Sequence, residues 1–184
     1  YFSWNTIDGG NILGTSLTRS GSHTYYAATH TGVTAAVHAT STMSNFHNNK
    51  FHIGGTAARI GLAVGGGTTS NTVTAQGNRF EIKDSNNHNG VAVFRTTNTV
   101  GTYNDTSSTY ILESGASGSN GIYNEGGYVN LTTPTFNIAS TGSNGILNKA
   151  GAGTDGVLTT DGGNFYVSAG GAGMENIDTE YAEQ

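Results

Sequence analysis

The chain has 184 residues, a formal charge of −5, only 10% charged residues and no cysteine. So mild an acidic balance gives no support for nucleic-acid binding, which asks for a basic face, and the lack of cysteine excludes disulfides and thiol chemistry. Gly, Ser, Thr and Asn make up about half of the residues, yet charge is low, Pro134 is the one proline, and Phe, Tyr, Ile and Val recur regularly, which argues against disorder.

Thr, Val, Tyr and Phe favour strands, Gly and Asn favour the turns between them, and good helix formers are scarce, so the whole chain is expected to be β. Residues 1–45 begin irregularly. NILGTSL at Asn11 and HTYYAATHTGVTAAVHAT at His23, with Tyr25, Val33 and Val37, read as degenerate coils or an N-terminal cap. From residue 46 a pattern sets in. An aromatic precedes an aliphatic by two positions at Phe51/Ile53, Phe80/Ile82, Tyr110/Leu112, Phe136/Ile138 and Phe165/Val167, and the aromatics lie 29, 30, 26 and 29 residues apart. Residues i and i+2 of a strand share a face, so each pair is expected to point inward.

A second apolar series, Ile60, Val91, Ile122, Ile146 and Met174, follows glycine-containing turns, with Gly90, Gly121, Gly145 and Gly173 directly before the last four. A third, looser series is Val73, Val100, Val129 and Val157. Three strands per repeat of about 28 residues is the pattern of a solenoid, whose coils bury their apolar faces only by stacking. The expected fold is an all-β, right-handed parallel β-solenoid with three strands per coil and about six coils. It forms a single domain over 1–184, with regular coils at 46–177 and an acidic tail or linker at 178–184. Phe51, Phe80, Tyr110, Phe136 and Phe165 are its expected core stack.

Two phrases are nearly copies: SNGIYNEGG from Ser119 and SNGILNKAG from Ser143. Asn-Gly is a turn signal, so both are read as the same corner of adjacent coils. Asn124, Asn148 and Asn176, each two positions after an apolar residue, are expected to stack as an internal amide ladder.

These NGI-x-N phrases, the GGNFYV strand at Gly162 and the Gly/Ser/Thr/Asn bias resemble the β-helical passengers of autotransporters and other large bacterial surface adhesins, over roughly residues 45 to 177. The resemblance implies a secreted, rod-like protein at the cell surface, acting in adhesion or self-association. It does not extend to a membrane-inserting barrel. No signal peptide or spanning apolar run is visible and the chain begins at Tyr1, so it is expected to be a processed product or an excerpt of a longer one.

Chemistry is harder to place. Glu81, Asp84, Asp105 and Glu113 are the carboxylates that could pair for glycoside cleavage, but their positions in the coil differ and each reads as a turn or solvated-face residue. The six histidines, His23, His30, His38, His47, His52 and His88, match no standard ligand spacing and are read as exposed strand or turn residues. GLAVGGGTTSN at Gly61 lacks the lysine of a phosphate loop and reads as a turn. Asn104-Asp-Thr106 and Asn130-Leu-Thr132 match the glycosylation pattern at a frequency chance accounts for. No catalytic, cofactor or metal site is expected.

The expected role is therefore non-enzymatic: a secreted or cell-surface structural and adhesive protein, part of a longer rod or filament. Its expected partners are itself, head to tail, and a host-cell or glycan surface, without nucleic acid or membrane insertion. The contact face is expected on Thr72, Thr74, Thr99, Thr132, Thr159, Tyr103, Tyr123 and Tyr128, with Arg95. An alternative is an ice-binding solenoid that uses the Thr-rich face. A second is a polysaccharide-binding or -cleaving β-helix of tailspike type.

Overall fold

The computed structural model describes residues 2–3, 6–8, 16–18, 24–26, 29–30, 33–39, 41–55, 57–168 and 170–177. Every regular element among them is a strand. β1 (Phe2–Ser3), β2 (Thr6–Asp8) and β6 (Val33–Ala39) make a first coil, interrupted by the short strands β3 (Ser16–Thr18), β4 (Thr24–Tyr26) and β5 (Thr29–His30). Complete coils follow: β7 (Met43–His47), β8 (Lys50–Ile53), β9 (Arg59–Gly65); β10 (Asn71–Gln76), β11 (Arg79–Ile82), β12 (Asn89–Phe94); β13 (Gly101–Thr106), β14 (Thr109–Leu112), β15 (Asn120–Glu125); β16 (Tyr128–Thr132), β17 (Thr135–Ile138), β18 (Asn144–Lys149); β19 (Val157–Asp161), β20 (Asn164–Val167), β21 (Ala172–Ile177).

Each coil gives one strand to each of three sheets. Sheet 1 runs β1-β7-β10-β13-β16-β19, sheet 2 runs β2-β8-β11-β14-β17-β20, and sheet 3 runs β6-β9-β12-β15-β18-β21. All of these pairings are parallel, so the chain is a β-solenoid. The exception is the opening. β3, β4 and β5 extend sheet 3 by antiparallel pairing, β3 to β4 and both β4 and β5 to β6.

The interior follows from strand alternation. Along β10, Val73 and Ala75 are buried while Thr74 and Gln76 are exposed. Register places Phe51, Phe80, Tyr110, Phe136 and Phe165 one above another on sheet 2. Their rings stack at 4.8, 5.2, 4.6 and 4.7 Å between centroids, with interplanar angles of 11° or less. The separation is close to the ~4.8 Å between hydrogen-bonded strands, so the backbone ladder holds the rings in face contact. Ile53, Ile82, Leu112 and Ile138 stack beside them, all buried.

Two corrections concern local chemistry. Asn120-Gly121 and Asn144-Gly145 are not turns but lie inside β15 and β18, and neither glycine has positive φ. Glycine is required there for space. A Cβ on Gly121 would sit 2.6 Å from the Gly145 carbonyl oxygen and 3.0 Å from the Phe136 ring, and one on Gly145 would sit 2.5 Å from the Gly173 oxygen. The glycines make room for the aromatic stack. Residues 61–65 likewise lie in strand β9, with the bends of that stretch at 67–69, and a Cβ on Gly61 would sit 2.6 Å from the Gly90 carbonyl oxygen.

The third apolar series is also displaced. The column in register is Val73, Tyr103, Val129 and Leu158. Val100 precedes β13 and bridges to Arg95, while Val157 pairs with Tyr128 and is 45% exposed. Connecting loops differ in length, so a fixed period slips, and a slip of one residue moves a side chain to the other face. At the first four described corners from sheet 1 to sheet 2 the chain bends through one left-handed residue, in turn Asn48, Gly77, Ser107 and Thr133, at φ 54°, 62°, 60° and 49°, and at the last through two, Gly162 and Gly163, at 67° and 110°.

Candidate functional site

Polar residues inside the solenoid are held by their vertical neighbours. On sheet 3 the column Val64, Val93, Asn124, Asn148, Asn176 changes from apolar to amide halfway along. Asn124 Nδ2 donates to Asn148 Oδ1 at 2.7 Å, and Asn148 Nδ2 donates to Asn176 Oδ1 at 2.7 Å. Asn124 also ties down the next turn, accepting from the Gly127 N–H and donating to the Gly127 carbonyl, both at 3.1 Å. Asn148 donates to the Gly156 carbonyl at 2.8 Å.

The corners repeat the device. Asn49 Nδ2 donates to Asn78 Oδ1 at 2.9 Å, and the Asn78 N–H donates to Ser108 Oγ at 2.9 Å. The N–H groups of His88 and Ser119 donate to the hydroxyls of Ser119 and Ser143 one coil onward, at 3.0 and 3.3 Å.

One buried charge-bearing group has no such column. Asp105 stands between Ala75 and Leu131. Its carboxylate accepts from Ser108 Oγ at 2.5 Å and from the Tyr110 hydroxyl at 3.0 Å, and the Tyr110 and Tyr103 hydroxyls are 3.1 Å apart. Burial pushes the Asp105 carboxyl up to about 6, with these hydrogen bonds drawing part of the rise back.

The residues expected to form one contact face are dispersed. Thr74, Thr132 and Thr159 are exposed on the outside of sheet 1, with Thr72 half-buried and Tyr128 36% exposed. Tyr103 instead points inward and is fully buried, so it is a core residue. Thr99 is buried too. It sits in the turn before β13, its hydroxyl donating to the Gly67 carbonyl and accepting from the Thr96 hydroxyl while its N–H donates to Thr96 Oγ1. Arg95 is half-buried and donates to the Gly126 carbonyl at 3.4 Å.

The carboxylates weighed for hydrolysis are not brought together. Asp105 faces inward, while Glu81 lies on the outside of sheet 2 between Lys50 Nζ at 3.3 Å, His52 Nδ1 at 2.8 Å and Arg79 Nε at 2.6 Å. Burial works to raise the Glu81 carboxyl, and its hydrogen bonds from Arg79 and Lys50, with the charge of Arg79, hold it below its ordinary value. Asp84 caps the Gly55 N–H, and Glu113 lies 3.8 Å from Lys83 Nζ. The histidines correct the expectation of exposure. His88 is fully buried, His38 is 8% exposed with Nε2 2.8 Å from the Gly65 carbonyl, and His47 and His52 are half-buried. Burial lowers the His88 pKa. The side chains of His23 and His30 lie outside the described residues. Among the described residues no three His, Asp or Glu side chains gather closely enough to hold a metal ion.

A feature not read from the sequence lies on the outside of sheet 3. A second amide ladder runs there, Asn120 Nδ2 donating to Asn89 Oδ1 at 2.9 Å and Asn144 Nδ2 to Asn120 Oδ1 at 3.1 Å. Beside it Phe94 and Tyr123 meet at 6.2 Å between ring centroids. Together they border a groove of about 430 Å³. The signal is present in the repeated Asn-Gly pairs, which as a local pattern read as turns. No protein-family model, curated protein or solved structure matches the chain.

Proposed function

We propose that this chain is a non-enzymatic structural and adhesive segment of a longer rod, acting outside the cell or at a cell surface. The observation that carries the reading is the last described coil, whose β19, β20 and β21 pair with no further described strand. Phe165 and Leu158 are only half-buried there, and Val167, Met174 and Ile177 are 43%, 46% and 43% exposed. Asn176 accepts from Asn148, and its own amide nitrogen donates to no described residue. Uncovered edges with apolar columns invite a further coil.

A second copy, head to tail, fits by charge. Residues 1–80 hold four basic residues and one acid, whereas residues 81–184 hold three basic residues and eleven acids. β1 and β2 pair with β7 and β8 of their own chain and have no described strand on their other edge. Attraction between unlike ends is favoured over acidic end against acidic end. Secretion and adhesion rest on the resemblance in composition and repeat style.

Sedimentation velocity and electron microscopy at low salt test the assembly. Rods or filaments are expected, and Met174→Lys with Val167→Lys should return monomers. A monodisperse monomer at tens of micromolar counts against it. Ice binding draws support from the outer face of sheet 1, where Thr72 and Thr102 pair and Thr106 pairs with Thr132. Asn104, Asn130 and Tyr128 interrupt its rows. Thermal hysteresis well above an albumin control, reduced by Thr132→Tyr, would favour that role instead.

A further inference from the structure

The groove on the outside of sheet 3 has two unlike walls. Ala58, Ile60, Phe94, Tyr123 and Leu147 supply apolar surface, while Asn87, Asn89, Asn120 and Glu125 supply polar groups. A primary amide has two N–H donors and two lone pairs on its oxygen. In the ladder Asn120 uses one N–H toward Asn89 and one lone pair toward Asn144, which leaves one of each. Asn89 uses only its oxygen. The groove therefore offers donors and acceptors side by side, repeated at the coil spacing of ~4.8 Å.

The charged groups at the groove are internally compensated. Tyr123 donates to Glu125 Oε2 at 2.9 Å, fixing that carboxylate, and Lys149 lies 3.6 Å from Glu125 Oε1 and 5.0 Å from the Tyr123 ring centroid. Asn144 additionally donates to Glu175 Oε2 at 2.8 Å. Such a site gains little from a charged ligand. It suits one that has an apolar face and, around its edge, neutral hydroxyls able both to donate and to accept.

We propose that this groove binds a neutral saccharide chain, its C–H face against Tyr123, Ile60 and Leu147 and its hydroxyls on Asn89, Asn120 and Glu125. The inference rests on the adhesive reading and names its ligand class, and it does not depend on end-to-end assembly. A strand of peptide is the competing occupant. The groove disfavours it because sheet 3 turns its side chains outward there, with its backbone groups already paired within the sheet.

The test is calorimetry or saturation-transfer NMR on the full chain with neutral hexasaccharides (cellohexaose, chitohexaose, laminarihexaose, mannohexaose) at millimolar concentration. Binding of at least one is expected, little changed by salt. Tyr123→Ala and Leu147→Arg should each weaken it about tenfold or more, close to 1.4 kcal/mol per tenfold. Gln76→Ala, on the outside of sheet 1, should leave it unchanged. The Leu147 variant leaves the amide ladder intact, so circular dichroism separates lost binding from lost fold, and unchanged sedimentation separates it from lost assembly. No binding by the folded chain, binding that survives both substitutions, or binding of a random peptide pool in place of sugars overturns the proposal.

Discussion

Two interior columns of the solenoid solve the same problem differently. The aromatic column on sheet 2 keeps one chemistry through Phe51, Phe80, Tyr110, Phe136 and Phe165. The column at the far end of sheet 3 begins as Val64 and Val93 and continues as Asn124, Asn148 and Asn176. A rod of stacked coils accepts either, because along these two columns most residues have a chemically similar neighbour on at least one side. An amide satisfies an amide as a ring covers a ring. Where like does not meet like, the cost surfaces, as at Asp105 between Ala75 and Leu131. The interior thus selects repetition as much as hydrophobicity.

The largest effect should come from breaking the aromatic column. Phe136 is fully buried between Tyr110 and Phe165. Phe136→Ala should cost about 3–5 kcal/mol in denaturant unfolding, from lost burial and the cavity left behind. A loss below about 1 kcal/mol would mean that the coils collapse around the gap and the column matters less than its geometry suggests.

The isolated acid comes next. Unfolded Asp105 ionises near 3.8, and folded it ionises near 6. Between those values the folded protein binds the proton more tightly. The contribution of Asp105 to stability is therefore fully present below about pH 4 and is lost as pH rises through 6, amounting to about 3 kcal/mol at ~1.4 kcal/mol per pH unit. Ser108 and Tyr110 donate to this carboxylate and Tyr103 lies beside them, while Glu81 and His88, both with lowered pKa values, add slopes of opposite sign. The difference between wild type and Asp105→Asn isolates the term. That difference should vary between pH 4 and 6 and be flat above 7. Parallel curves would remove the strain assigned to the lone acid.

How far the sequence could be read follows the same logic. Aromatic-x-aliphatic pairs announced the coils because sheet 2 strands are short and keep one register through every coil. The N-terminal antiparallel strands β3–β5 carry no repeat and so left no periodic signal. Tyr103 reads as outward from side-chain direction alone, because alternation counted from Val100 turns residue 103 to the outside. Its hydroxyl has a buried partner in Tyr110, seven residues on in the next strand of the same coil, and the alternation of a single strand does not carry across the corner between them. The glycines of Asn-Gly were visible, but their reason was not. Gly121 and Gly145 answer to carbonyls 24 and 28 residues on, at Gly145 and Gly173, and to the Phe136 ring on another strand, whereas a turn signal is local.

The smallest effect lies along the asparagine ladder and is a gradient. Asn124 is fully buried and engages Asn148 and both backbone groups of Gly127. Asn148 is 7% exposed and engages Asn124, Asn176 and Gly156. Asn176 is exposed and only accepts from Asn148. Replacing each by Val, the residue native to this column at Val93, keeps the shape of a strand former and removes the amide. Unsatisfied buried partners cost ~1–3 kcal/mol and exposed ones far less. The expected losses are about 3 kcal/mol at Asn124, about 2 at Asn148 and under about 1 at Asn176. Equal losses at all three would mean that the amides act independently of their column. The last value also depends on assembly. If a second copy covers β21, Asn176 acquires a neighbour and becomes interior, so the cost of Asn176→Val should climb toward that of Asn148→Val as protein concentration rises. An Asn176 cost that stays flat over the range in which rods form would leave the ladder ending at β21, with the next chain docked on sheets 1 and 2 alone.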